Sequence, residues 1–281
     1  MKQNSYNSDI KGKLYLIPTP IGNLDDITLR ALNILKEVDI VFAEDTRETF
    51  NLLKYYNINK KIESCHKYSE MKNKEKILKI LKEGKTIGFV SDRGTPLISD
   101  PGNFVVNEVI KENIPVIALP GATALIPALN MSGLDNERFL FYGFLNNKKN
   151  AAKNELNRLK DVEYTMIFYE SPRRLKTTLE LMLEAFGNRK ISIVREISKL
   201  HEEIIRDSIE NVTKIIDDIK GEIVIVVEKE KNNKLETIST NYIELVKEMQ
   251  EAGYSKKDAI KEVSLKYNIS KNKLYEECKE L

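Results

Sequence analysis

Residues 14–47, LYLIPTPIGNLDDITLRALNILKEVDIVFAEDTR, hold a strand, a loop, a helix and a second strand in a single pass. KLYLIP is a short apolar run broken by Pro18 and Pro20. In DDITLRALNILKEVD the residues Ile27, Ala31, Ile34, Leu35 and Val38 recur with helical spacing, and Asp25 or Asp26 is placed to cap the helix. IVFAED then returns to apolar, β-branched residues. Such alternation needs crossover connections and predicts a mainly parallel sheet.

The pattern extends outward. TIGFVSD (86–92) and IPVIALPG (114–121) read as strands, NFVVNEVIKEN (103–113) as a helix, and ATALIPALNMSG (122–133) as a helix closed by Gly133. After SGLDNER it restarts. FLFYGFL (139–145), YTMIFYE (164–170), KISIVRE (190–196), HEEIIRDSI (201–209) and GEIVIVVE (221–228) read as strands. SPRRLKTTLELMLEAFG (171–187) and IENVTKIIDDIK (209–220) read as helices, and NNKKNAAKN (146–154) as a basic loop. The expected fold is α/β: an N-terminal α/β domain (1–135), a second α/β domain with parallel or mixed pairing (136–230), a ligand cleft between them, and a linker with a small helical module (231–281). In that module Tyr242, Leu245, Val246 and Met249 share a face, Gly253 ends the helix, and Ser255 and Asp258 form a variant capping box. Its last two helices resemble a helix-turn-helix, and a plain docking bundle fits equally well.

Composition narrows the function. Of 281 residues 41% are hydrophobic, enough for a sizeable core, and 45 Lys and Arg against 43 Asp and Glu leave a net charge of +2. The chain is therefore not basic throughout, although a local basic face is allowed. Two cysteines, Cys65 and Cys278, and two histidines, His66 and His201, do not suit a disulfide framework or a Cys/His metal cluster; no metal ligands are assigned, and an acidic Mg2+ site is the one metal alternative left open. A polar start, MKQNSYNSDIKGK, and the lack of any membrane-length apolar run point to a cytoplasmic protein that does not engage a membrane.

In an open α/β sheet, ligands sit at the carboxyl ends of the strands. The loops after the first-domain strands are PTPIGNLDD (18–26), EDTR (44–47), SDRGTPLISDPG (91–102) and PGATA (120–124). One loop rich in Gly, Pro and Thr would read as a turn; four at one edge read as a site. None is a dinucleotide or P-loop fingerprint, so the ligand is not expected to be a nucleotide held by its phosphates.

The segments LYLIPTPIGNLDDITLRALNILKEVDIVFAEDTR, VSDRGTPLISDPG, LPGATA, RFLFYGFL, FYESPRRL, REISKLHEE and GEIVIVVE, in that order across residues 12–230, resemble ribosomal RNA small-subunit methyltransferases of the tetrapyrrole methylase-like superfamily. That family methylates a cytidine ribose 2′-oxygen using S-adenosylmethionine. EDTR and FYESPRR distinguish it from methylases of porphyrin precursors, and Arg93 departs from the alanine usual in the family. The resemblance implies cofactor contacts from Pro20, Asp92, Gly94, Thr95, Ile98, Thr123, Ala124, Tyr169, Glu170 and Ser171. It also implies a homodimer, and small-subunit ribosomal RNA or the assembled small subunit as partner. A base would help remove the hydroxyl proton. Glu44, Asp45 and Glu170 are the preferred carboxylates, Glu44 first; Glu196, Lys199 and His201 are further options. Arg47, Lys148, Lys149, Arg173, Arg174 and Lys199 are expected to face phosphates, and Phe141, Tyr142 and Phe144 either stack a base or belong to the core. Two other readings stand beside this one: a methylase of a porphyrin precursor or protein within the superfamily, and a non-catalytic ribosome-assembly factor.

Overall fold

The structure, a computed structural model, describes residue 3 and residues 12–66, 70–216, 219–230, 240–267 and 269–279. Most of the charged linker and of the N-terminal segment read above lies outside these residues. The chain forms two compact units, one ending at Lys229 and the other starting at Glu230.

The first unit holds two five-stranded sheets. Strands β1 (Leu14–Leu16), β2 (Ile40–Ala43), β3 (Lys61–Ser64), β4 (Ile87–Val90) and β5 (Val116–Ala118) form the first, in the order β3-β2-β4-β1-β5. Every pair is parallel. Helices α1 (Leu29–Glu37), α2 (Thr46–Tyr55), α3 (Glu70–Lys82) and α4 (Asn103–Lys111) cover it. Leu14, Leu16, Phe42, Ile87 and Phe89 face Ile77, Leu81, Val105 and Val109 of α3 and α4. Val41, Ala43 and Val90 on the opposite face meet Ala31, Leu35 and Leu53 of α1 and α2. Burial on both faces explains why these strands read as continuous apolar runs.

The start of α1 differs from the expected one. Thr28 caps it, its hydroxyl accepting from the Ala31 amide at 3.1 Å, while Asp25 and Asp26 lie in a separate 3-10 turn capped by Asn23. Adjacent aspartates before an apolar stripe suit a tight turn as well as a first helical turn, and the hydroxyl three residues ahead of Ala31 decides it. Helices α2 and α3 and strand β3 occupy residues for which the apolar pattern gave no assignment.

The second sheet contains β6 (Phe139–Phe144), β7 (Thr165–Glu170), β8 (Lys190–Arg195), β9 (Glu203–Ser208) and β10 (Ile223–Val227), in the order β6-β7-β10-β8-β9. Only β6 and β7 pair in parallel; the other neighbours are antiparallel. One face packs on α6 (Lys149–Leu159), α7 (Pro172–Phe186) and α8 (Ile209–Ile215), burying Leu156, Leu179, Met182 and Val212. The stretch 146–154, expected as a loop, is helical from Lys149 onward, because Ala152 and Leu156 have an apolar face to bury. Helix α8 stops at Ile215, and Asp217 and Asp218 lie outside the described residues.

The other face of this sheet is covered by α5 (Leu125–Ser132), which follows the last strand of the first sheet. Ala128 and Leu129 pack there against Ile167, Val194, Val224 and Val226. The Arg206 guanidinium donates to the Met131 carbonyl at 2.9 Å. One helix thus contributes the inner core of the second sheet and joins the α/β halves.

The second unit is a helical bundle of α9 (Thr240–Glu251), α10 (Lys256–Tyr267) and α11 (Lys271–Glu277), centred on Val246, Ile260, Val263 and Leu274. Tyr242, Leu245 and Met249 pack on this core with Val246. The Ser255 hydroxyl accepts from the Asp258 amide as expected for the cap, and donates to the Asp258 carboxylate. Among the described residues no helix is long and apolar enough to cross a membrane.

Phe89 lies at the centre of the first core. Phe89→Ala is expected to lower the unfolding free energy of this unit by about 3–5 kcal/mol, measured by equilibrium denaturant unfolding.

Candidate functional site

Parallel pairing brings all four loops to one edge of the first sheet. Thr19 and Gly94 form a two-way backbone bridge there, each amide donating to the other's carbonyl at 2.9 Å. The Thr19 hydroxyl donates to the Ser91 carbonyl at 3.3 Å, and the Thr95 hydroxyl donates to the Ala122 carbonyl at 3.0 Å. The loop after β4 bends through left-handed residues: Gly94 (φ 76°), Leu97 (72°), Ser99 (68°) and Gly102 (114°). Left-handed Leu and Ser are costly and persist only where the surroundings hold them. A Cβ on Gly102 would stand 2.8 Å from the Phe89 ring, so the loop closes tightly against the core.

Between this edge and the second sheet lies a cavity of about 350 Å3. Gly94, Thr95, Ile98, Thr123 and Ala124 line it from the first half, and Tyr169, Glu170 and Ser171 from the second. Phe144, Asp100, Ile197, Glu222 and Val224 also line it. Phe144 reaches the cavity through a bulge in β6, where the register shifts between Phe141 and Gly143 and Gly143 takes φ 83°. A Cβ there would stand 3.0 Å from the Ser99 hydroxyl oxygen. A glycine inside an apolar strand pattern is the sequence signal for such a bulge. Phe141 instead packs edge-on against Tyr169, and Tyr142 sits over Phe168.

Pro20 and Asp92 face a neighbouring cavity of about 430 Å3, which also borders α2. Arg93 lines both cavities. Its guanidinium reaches across to Glu222 of the second half at 2.6 Å.

The three carboxylates expected as bases have different surroundings. Glu170 is buried; its oxygens accept from the Ser171 amide at 2.7 Å and the Thr178 hydroxyl at 2.6 Å, with Arg174 Nε at 3.3 Å. That carboxylate anchors the start of α7, with three of its acceptor positions already engaged by Ser171, Arg174 and Thr178. Asp45 caps α2 by accepting from the Arg47 amide at 2.8 Å, while its own amide donates to Asp92 at 2.8 Å. Glu44 lines neither cavity. Burial, and after it the charges of Asp92, Asp100 and Asp45, raise its pKa above the ordinary range. Asp100, on the cavity wall, is raised from 3.8 to about 6, mainly by burial, with Asp92 adding and a Ser91 hydrogen bond opposing. Burial likewise pushes the Tyr169 hydroxyl up, against hydrogen bonds with Thr123 and the backbone at Leu125.

The cations divide in the same way. Arg47, whose side chain is 92% exposed, and Lys148, Lys149 and Arg173 are open to solvent. Arg174 is not free for a phosphate: besides Glu170 it donates to Asn147 and to the Leu145 and Asn146 carbonyls, fixing the turn ahead of α6. Lys199 lies between Glu196 and Glu222, at 2.8 and 2.9 Å, and these carboxylates raise its pKa although burial opposes them. His201 is exposed in a turn. Among the described residues no group of three His, Cys, Asp or Glu side chains is placed to hold a metal ion.

A family model described as Tetrapyrrole (Corrin/Porphyrin) Methylases matches residues 13–213. The chain is 42% identical over 286 residues to the ribosomal RNA small subunit methyltransferase I of Bacillus subtilis, an alignment covering 98% of this chain and 97% of that protein. The chain belongs to the tetrapyrrole methylases, in the ribosomal RNA small subunit methyltransferase I family. The Thermotoga maritima member is 44% identical over 218 residues, covering 77% of this chain and 98% of its own. The tetrapyrrole methylase fold is also seen in uroporphyrin-III C-methyltransferase from Thermus thermophilus, solved with S-adenosyl homocysteine, at a TM-score of 0.57 and 18% identity, covering 77% of this chain and 97% of that one.

Two measurements follow for this family member. Glu170→Ala leaves the Thr178 hydroxyl and the Arg174 guanidinium without their buried partner and should lower stability by about 2–3 kcal/mol, against about 1 kcal/mol for Thr178→Ala. Asp100 binds its proton more tightly in the folded state than in the unfolded one. Its contribution therefore destabilises the fold progressively as pH rises from about 4 to about 6 and is constant above that. Asp100→Asn should flatten this limb in denaturant unfolding measured across that range.

Proposed function

We propose that this chain transfers a methyl group from S-adenosylmethionine to the ribose 2′-oxygen of a cytidine in small-subunit ribosomal RNA. The observation that carries the reading is the cavity between the two α/β halves, walled by the left-handed loop after β4 and by Tyr169, Glu170 and Ser171, in a chain 42% identical to a ribosomal RNA methyltransferase over nearly its full length. The residues fit the cofactor. Gly94 lines the cavity in a left-handed conformation, and a Cβ on it would crowd Ile21 at 3.3 Å. The remaining walls combine apolar Ile98, Ala124 and Val224 with polar groups of Thr95, Thr123 and Ser171, a usual balance for a small-molecule site.

When bound, S-adenosylmethionine supplies a sulfonium methyl already activated for displacement, which the ribose 2′-oxygen takes in line as the carbon–sulfur bond breaks and S-adenosylhomocysteine is left. The protein's task is then mainly positioning. Gly94, Thr95, Ile98, Thr123 and Ala124 hold the cofactor from the first α/β domain, residues 1–135, and Tyr169, Glu170 and Ser171 from the second, residues 136–230. Pro20 and Asp92 act from the adjoining cavity. The hydroxyl proton passes to Asp100 on the cavity wall, raised to about 6 mainly by burial, or to Glu44 at the end of β2, whose pKa burial also raises. Arg47, Lys148, Lys149 and Arg173 neutralise phosphates of the RNA. The working form is a homodimer, which sedimentation of the full chain would test.

The deciding experiment incubates the protein with labelled S-adenosylmethionine and small ribosomal subunits lacking native modifications, then digests the RNA to nucleosides. Label is expected in 2′-O-methylcytidine; label elsewhere, or in none, refutes the reading. Gly94→Trp should abolish cofactor binding with the fold retained. Glu44→Gln and Asp100→Asn should each lower kcat by about 100-fold; full turnover in both would leave positioning as the whole mechanism. Lys148→Glu with Arg173→Glu should weaken subunit binding and reduce its salt dependence.

A further inference from the structure

Apart from Pro20 and Asp92, the residues lining the second cavity, of about 430 Å3, have no part in holding the cofactor in the reading above. It adjoins the cofactor cavity across the Thr19–Gly94 bridge, and Arg93 borders both. Its far wall is helix α2, which begins directly after the strand-end residues Glu44 and Asp45. Glu48, Asn51, Leu52 and Tyr55 stand at i, i+3, i+4 and i+7, so they form one stripe of the helix, and all four line the cavity. Tyr55 is 58% exposed, leaving ring surface available. Among the described residues, the Glu48 carboxylate and the Asn51 amide have no hydrogen-bond or ion-pair partner.

The charges indicate what kind of ligand fits. The two cations on the wall, Arg93 and Lys199, are both paired with Glu222, while Glu48 and Asp92 contribute carboxylates. A phosphate, or a tetrapyrrole carrying several carboxylates, would be repelled. A flat neutral ring with a hydrogen-bonding edge is not. Proteins that act on a single nucleotide take its base out of the stack, place it against an aromatic ring and read its edge. Cytosine offers an amine at N4 beside acceptors at N3 and O2. A carboxylate suits the first and an amide N–H the others.

We propose that this cavity receives the base of the acceptor nucleotide, with Glu48 accepting from the cytosine N4 amine, Asn51 donating to N3 or O2, and Tyr55 and Leu52 supplying the apolar contact. The assignment rests on the methyl-transfer reading above and extends it: a nucleotide straddling the Thr19–Gly94 wall has its ribose at the cofactor cavity and its base in the second.

The test measures methyl transfer by wild type, Glu48→Gln and Asn51→Ala to small subunits carrying either cytidine or uridine at the acceptor position, with S-adenosylhomocysteine affinity measured in parallel. Both side chains are surface groups, so the variants should fold, and their unfolding temperatures check this. Both variants should lose about tenfold in kcat/KM toward cytidine. S-adenosylhomocysteine affinity should be unchanged. Glu48→Gln, which can donate to the uracil O4, should also lose about tenfold of the preference for cytidine over uridine. Unchanged kcat/KM and unchanged preference in both variants, with wild type active, overturn this assignment and leave the methyl-transfer reading standing. Equal loss of S-adenosylhomocysteine affinity would overturn it by moving α2 into the cofactor site. A wild type that binds S-adenosylhomocysteine yet methylates neither subunit overturns the methyl-transfer reading, and this assignment with it.

Discussion

Parallel pairing throughout the first sheet forces each strand to deliver its following loop to the same edge. Everything chemical in the molecule depends on that constraint. The Thr19–Gly94 bridge joins the loop after β1 to the loop after β4, and Thr95 ties the latter to the loop after β5. Asp92 connects the same loop to the end of β2 by accepting from the Asp45 amide. Four segments far apart in sequence thereby form one hydrogen-bonded rim. Burial, and after it the neighbouring carboxylate charges of that rim, raise the pKa values of Glu44 and Asp100.

The second sheet meets the rim through α5 rather than through a linker. Ala128 and Leu129 are core residues of a sheet that begins after them in sequence. Because the helix starts at Leu125, directly after Thr123 and Ala124 on the cavity wall, packing of the sheet and closure of the cavity are one event. The Gly143 bulge adds a second point of contact, seating β6 beside Ser99 and turning Phe144 inward. Arg93 and Glu222 add a third across the mouth.

Much of this could be read from residues alone. Strand–helix alternation and the Gly- and Pro-rich strand ends follow from local chemistry, and the segments that resemble a known family located the cavity walls from Gly94 to Ala124 and from Tyr169 to Ser171. What escaped the reading depends on partners distant in sequence. The stretch NNKKNAAKN is polar enough for a loop, and only the core beneath Ala152 and Leu156 makes it a helix. Glu170, Arg174 and Lys199 looked like a base and two phosphate contacts, but Thr178, Asn147, Glu196 and Glu222 occupy them. Asp100 lies on the cavity wall, yet its burial is a tertiary property that no motif announces. Helix α2 was missed because its core-facing side buries only Thr49 and Leu53, too short an apolar repeat to mark a helix.

The left-handed residues of the loop after β4 set how separable the two halves are. Leu97 and Ser99 hold backbone angles that an isolated chain seldom visits. Nothing in their own side chains favours those angles; the Phe89 ring beneath Gly102 and strand β6 beside Ser99 impose them. The ligand-shaped wall is thus a joint product of both sheets. A cut at the sequence boundary between the halves would take α5 from the inner face of the second sheet and β6 from beside Ser99. The fold repeats its α/β pattern twice, but as a binding device it is indivisible.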